Sequence, residues 1–403
     1  MHKPLLLPLC TLLLSSVAGA PACIWDSDTL GDELHGLPDA LRLVTGRWHR
    51  HGKAYYEARI RRLPERLEAH PDDLDAYDDL AVAHERLGDR DAALAVIERK
   101  KKALDARADK DAVWKRHLYR YHANKGTFLA HSGRFDAAVA ELERALEIDP
   151  AAHFGRERYQ VDLIRYVAAC REDRGLWARE DWMLHTGVMP EKGLWSVTGP
   201  MSFSAKPRSG AGTRKVDWTE LYTAVAGMLR FGGLEGPELY RSMGDLFLAR
   251  RDLHLAWWSY MVAIERGHPA RAQCEAACAG IVKHWKEANR LSGQRTPIPT
   301  REEFVAVRRS ANQWLAKFQS LEAEAIAEGK DPADPELLAR LLAAADEAEP
   351  EVLPEAARHR NQGEGAEVQR GPAKGGPVQD AHEAPPRSEG GPTGGEPRRD
   401  GDG

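Results

Sequence analysis

Cysteine is scarce: Cys10, Cys23, Cys170, Cys274 and Cys278 are the only five in 403 residues, which excludes a disulfide scaffold. An excess of either charge is missing as well. Lys and Arg total 57 against 62 Asp and Glu, a formal net charge of −5, and this balance argues against a nucleic-acid partner, which needs a basic face. No GxSxG, HExxH, CxxC or GxxxxGK[ST] occurs, so a nucleophile elbow, a zincin helix, a redox dithiol and a phosphate loop lack their signatures. Alternating apolar and polar runs of strand length are absent too, and the class reads as all-α.

Only one long apolar run is present, Leu5–Leu14, preceded by Lys3 and followed by small residues from Ser15 to Ala20. That is the pattern of a secretory signal peptide, and it is shorter than the roughly 20 residues a membrane span requires. Ala20-Pro21-Ala22 is the better cleavage motif, which makes residues 1–22 the signal and Cys23 the mature N-terminus. Losing Lys3 with it takes the net charge from −5 to −6. An N-terminal cysteine is also where a lipoprotein carries acyl chains, although Ala20 stands where a lipobox has a large aliphatic residue; membrane contact is expected only if Cys23 is lipidated. At the other end, residues 361–403 hold 11 Gly and 6 Pro and no Leu, Ile, Met, Phe, Trp or Tyr. Such a chain cannot bury enough apolar surface to offset its ordering entropy, and residues 350–403 read as a disordered tail.

The stretch SGRFDAAVAELERALEIDP, Ser132 to Pro150, shows what fills the middle. Ala138, Leu142, Ala145 and Leu146 form one apolar stripe at helical spacing. Gly133 sits where a helix must end in the left-handed conformation, Asp136 is placed to cap the next helix, and Pro150 stops it. With YHANKGTFLAHSG before it, the stretch makes a helical hairpin over about 119–152. The pattern also occurs over about 74–107, where Tyr77, Leu80, Ala81 and His84 precede Gly88, Ala93 and Ile97. A third copy spans about 237–269, where Tyr240, Met243, Gly244 and Phe247 precede Ala256, Tyr260, Ala263 and Pro269. Ala81, Gly126 and Gly244 fall where paired helices cross closely, and Ala93, Ala138 and Ala256 let the second helix nest. This order of large and small residues resembles the tetratricopeptide repeat family, which implies a solenoid of helical hairpins with irregular insertions.

Departures from the family pattern are specific. Lys125 stands where a large apolar residue is usual, Lys100 where a small one is, and Arg251 replaces the turn glycine. Gly88 and Gly133 are 45 residues apart, against a period of about 34, and the surplus is expected to lengthen helices within residues 98–120. AYYEARIRRLPERLEAHPDD, closed by Pro71, reads as half of an earlier hairpin within a helical region 53–190. A long loop at 191–216 separates it from a second helical region, 217–349. That region includes a long helix opened by the Thr300/Glu303 capping box. The opening CIWDSDTLGDEL resembles those of exported bacterial repeat proteins. Residues 23–52 are expected to cap the first hairpin, with Ile24, Trp25 and Leu30 over its apolar face.

The family resemblance implies a protein or peptide partner held along the first helices of successive repeats. The groove-facing residues are then Asp78, Val82, Glu85 and Arg86, then Ala123, Thr127 and His131, then Arg241, Asp245 and Leu248. Family members that clamp a C-terminal carboxylate use lysine and asparagine where Asp78 and Val82 stand, so that subclass is not expected. The basic run Arg99-Lys100-Lys101-Lys102 reads as a solvated helix face among Glu98, Asp105 and Asp109. His49 and His51 in RWHRHG form an HxH pair without a second pair nearby, and read as a solvated basic turn. The reading is a non-enzymatic scaffold of the bacterial envelope, exported, with no catalytic residue, cofactor or metal. Its competitor is an enzyme or metal protein with a site built by residues 23–52 and 191–216.

Overall fold

Aspartate is the commonest residue at the helix starts among the described residues. The side chains of Asp73, Asp89, Asp111, Asp217, Asp252 and Asp334 each accept a backbone N–H of the first turn, satisfying donors that a helix start leaves unpaired. The computed structural model describes residues 24–28, 37, 39–190, 195–196, 199–200, 214–232, 236–293, 295–331 and 333–358. The expected signal peptide, Cys23, Leu30, most of the 191–216 loop and residues 359–403 lie outside them.

Among the described residues fifteen α-helices follow in order: α1 (Ala40–Thr45), α2 (Lys53–Ala69), α3 (Leu74–Arg86), α4 (Arg90–Ala106), α5 (Ala112–His131), α6 (Phe135–Ile148), α7 (Arg156–Glu172), α8 (Leu176–Arg179), α9 (Trp182–Thr186), α10 (Trp218–Phe231), α11 (Pro237–Ala249), α12 (Leu253–Glu265), α13 (Arg271–Ser292), α14 (Arg301–Ala327) and α15 (Pro335–Ala348). Consecutive helices from α2 to α7 pack on one another, α10 joins α7 to α11, and α11, α12 and α13 continue the stack. The ends also meet, since α14 packs on α1 and α2, and α1 on α10 and α12.

Three hairpins, α3–α4, α5–α6 and α11–α12, are built on one register. Ala93, Ala138 and Ala256 are fully buried at the crossings. A Cβ on Gly126 would lie 2.7 Å from Leu142 Cγ, and one on Gly244 2.6 Å from the Tyr260 ring, so the backbones approach too closely for a side chain. Gly88 and Gly133 turn with φ of 83° and 73°, and Arg251 takes the same left-handed conformation at φ 60°, a position glycine occupies at less cost. The surplus residues between Gly88 and Gly133 lengthen α4 to 17 residues and α5 to 20.

Local details depart from the sequence reading. Asp136 does not cap α6, whose N-cap is Arg134 without a side-chain bond; it lies in the first turn, where the helix dipole favours a carboxylate. Short strands exist despite the missing alternation: β1 (Val188–Pro190) pairs in parallel with β4 (Arg214–Val216), and β2 (Trp195–Ser196) pairs antiparallel with β3 (Gly199–Pro200). The described chain continues past Pro350, with Glu351 bonded to Arg42 at 2.7 Å. Cys170, Cys274 and Cys278 are buried and free, their thiols pushed up by burial to about 12, 11 and 12.

Candidate functional site

Two positions before each small crossing residue, the three repeats carry a short polar side chain: Asp79 before Ala81, Asn124 before Gly126, Ser242 before Gly244. Each reaches chain outside its own hairpin. Asn124 holds the backbone of Trp25 at both polar groups, its Oδ1 accepting the Trp25 N–H at 2.7 Å and its Nδ2 donating to the Trp25 carbonyl at 2.9 Å. Asp79 accepts the Ser27 N–H at 2.8 Å and the Ser27 hydroxyl at 3.0 Å. Ser242 Oγ accepts the indole N–H of Trp182 at 2.6 Å. Helical spacing puts equivalent residues of stacked hairpins on one face, so a segment laid across α3 and α5 meets Asp79 and Asn124 in turn.

Residues 24–28 are that segment, non-repetitive through Asp26 and entering a helical turn at Ser27 and Asp28. Ile24 is fully buried in the cluster of Tyr77, Leu80, Ala81 and Phe128. Trp25 packs with Tyr119, Ala123 and Ala145, edge-on to the Tyr119 ring at 5.7 Å and under the Arg120 guanidinium at 5.4 Å. Arg59 on α2 receives the two acids: Nη1 to Asp26 Oδ2 at 3.2 Å and Nη2 to Asp28 Oδ1 at 2.8 Å, with Asp79 at 3.7 Å. Tyr55 adds its hydroxyl to Asp28 at 2.7 Å. His51 stacks on Tyr55 and bonds the fully buried Glu322 of α14 at 2.5 Å. Three carboxylates thus share one guanidinium. Burial, opposed by Arg59 and reinforced by Asp26, pushes Asp79 up to about 7, and burial with Asp26 raises Asp28.

The residues expected to line an open groove are mostly covered by the chain itself. Asp78, Val82, Glu85, Ala123, Thr127, His131, Asp245 and Leu248 are buried. Asp78 Oδ2 takes Lys100 Nζ at 2.5 Å and its Oδ1 the Asn124 amide at 3.1 Å. Glu85 pairs with His131 at 2.6 Å, Thr127 with Gln160 at 3.0 Å, and Asp245 with Tyr260 at 2.6 Å. Only Arg86 and Arg241 are half-exposed, bonded to the carbonyls of Phe231 and Trp177. The expectation that these residues face a groove fails here because Asp78 and Asp245 turn into their own hairpins, toward Lys100 and Tyr260, Glu85 and Thr127 bond to the neighbouring helices, and Ala123 packs against Trp25. Asp79, Asn124 and Ser242 escaped the sequence reading, although their shared offset from Ala81, Gly126 and Gly244 was visible.

Two further expectations are corrected. RWHRHG is no solvated turn: Arg47 and Trp48 are buried, Arg47 bonds Asp346 and the Glu349 carbonyl of the distant C-terminal region, and Arg230 stands over the Trp48 ring. Lys100 leaves the solvated basic face for the buried bond to Asp78. One trio among the described residues, Asp75, Asp78 and His117, brings ligand atoms within 4.8 Å of one another. Its carboxylates are already matched by Arg120 and Lys100. Burial and those same cations lower His117 to about 2. A divalent ion added beside two fixed cations does not suit this donor set.

The family pattern described as tetratricopeptide repeat matches residues 119–151, which hold the C-terminal part of α5 from Tyr119 on and all of α6. No curated protein matches the chain. Among the described residues, no helix is long and apolar enough to cross a membrane.

Proposed function

We propose that this chain, a tetratricopeptide-repeat protein, is a non-enzymatic interaction scaffold that works outside the bacterial cytoplasm and holds a segment of a protein partner across α3 and α5. The observation that carries the reading is the pair of equivalent side chains, Asp79 and Asn124, grasping the backbone of a linear segment. Backbone N–H and C=O groups are common to every peptide, so this grip supplies affinity without dictating sequence. Side-chain contacts then choose among sequences. Export rests on the Lys3, Leu5–Leu14 and Ala20-Pro21-Ala22 pattern, and the mass of the secreted protein, starting at Cys23 or still at Met1, decides it.

Selection from a displayed random-peptide library against the protein carrying Trp25→Ala with Asp26→Ala, which frees the face that residues 24–28 cover, tests the binding itself. Enriched peptides should lose at least about tenfold in affinity on Asn124→Ala, the loss of two buried bonds at ~1 kcal/mol each. Enrichment of nothing, or of peptides indifferent to both Asn124→Ala and Asp79→Ala, counts against the reading.

A further inference from the structure

The contacts of residues 24–28 describe a ligand in some detail. Trp25 occupies an aromatic site under Arg120, its backbone is held at both ends by Asn124, and the acids on either side of Ser27 converge on one guanidinium, that of Arg59. A plug needed only to cover apolar surface would not require two buried or half-buried aspartates on a shared arginine. Such an arrangement costs desolvation, and is repaid only when the acids arrive together in this spacing. The geometry points to residues 24–28 being an internal copy of the partner's recognition sequence. The face of α2, α3 and α5 takes a linear peptide with an aromatic residue followed by two acids separated by one small polar residue, and the chain's own segment must leave before such a partner binds. This deepens the reading of the protein as a peptide-holding scaffold and rests on it.

Occupancy in cis sets the expected magnitudes. A tethered segment competes at an effective concentration on the order of millimolar, so a free peptide meets a closed site in the unaltered protein and an open one when the tethered copy is spoiled. The probe is a labelled, acetylated peptide with the sequence of residues 24–29, Ile-Trp-Asp-Ser-Asp-Thr. Full mature protein carrying Trp25→Ala with Asp26→Ala should bind it at least about tenfold more tightly than the unaltered protein. Adding Asn124→Ala or Arg59→Ala to that variant should remove the gain. A peptide with both Asp changed to Asn should bind at least about tenfold more weakly, the effect of losing charge-assisted bonds.

A second measurement covers the case in which the double variant does not fold. The same peptide with benzoylphenylalanine in place of Trp is irradiated with the unaltered protein at millimolar concentration, and its adducts should fall within residues 112–148, which carry Tyr119, Ala123 and Ala145. Equal binding of the Asp and Asn peptides overturns this inference and leaves the broader scaffold reading standing. No binding to the folded double variant, or adducts elsewhere, overturns both.

Discussion

Lys100→Met is expected to cost about 3–5 kcal/mol of stability, the penalty for leaving a buried charge without its partner. Lys100 and Asp78 are both sealed from solvent, with Nζ 2.5 Å from Oδ2. Burial pushes Asp78 up and Lys100 down, each toward its neutral form, and the opposite charge of the other resists. Methionine matches the lysine stem in volume and packs as well, but it leaves the Asp78 carboxylate with only the Asn124 amide as a bonded partner and the Arg120 charge beyond it. Adding Asp78→Asn replaces a stranded charge by a neutral acceptor in the same place. The double variant should therefore recover at least half of the loss, and urea midpoints of the three proteins read the coupling directly. A Lys100→Met protein within ~0.5 kcal/mol of the parent would show that the pair is not sealed as described.

Gly244→Val should cost about 3 kcal/mol, at the upper end of overpacking effects. The added Cβ would meet three atoms of the Tyr260 ring between 2.6 and 2.9 Å. Tyr260 cannot swing aside cheaply, because it is buried and its hydroxyl is anchored to Asp245 at 2.6 Å. Burial pushes that Asp245 carboxyl up to about 7, helped by Asp181 and opposed by Arg241, so breaking the anchor strands a second polar group. Gly88→Ala is the control for backbone strain alone: its Cβ meets nothing within 4 Å, and only its φ of 83° is unfavourable, worth ~1–2 kcal/mol. Thermal or urea unfolding compares the two. Equal losses would mean that α11 and α12 are not in the close contact that defines the hairpin.

What the sequence displays is the part of the structure governed by neighbours in the chain. Gly133 and Gly88 announce their turns because the left-handed conformation selects glycine locally. Gly126 and Gly244 announce helix crossings because small residues recur at one offset. Arg251 adopts the turn without glycine, and only its place in the register gives it away. Asp136 reads as a cap in the sequence, but the helix starts two residues earlier, with Arg134 as its N-cap, and that makes it a first-turn acid. Contacts spanning hundreds of residues leave no such trace. Arg47 looks like a solvent-facing base until Asp346 is brought to it, and the pairing of Lys100 with Asp78 rewrites both a supposed surface run and a supposed groove. The site suffers most, because Asp79 and Asn124 acquire their role only when residues 24–28 fold back across them. Even so, their common offset from Ala81 and Gly126 is present in the sequence.

Amide hydrogen exchange at Trp25 and Ser27 in the intact protein tests the grip on residues 24–28 most directly. Both N–H groups donate to side chains of successive repeats, at 2.7 and 2.8 Å. Exchange should be slowed about a hundredfold or more at Trp25 relative to an unstructured peptide, and Asn124→Ala should abolish that protection while the amides of α11 and α12 keep theirs. Trp25 exchanging at the unstructured rate in the unaltered protein would contradict the account.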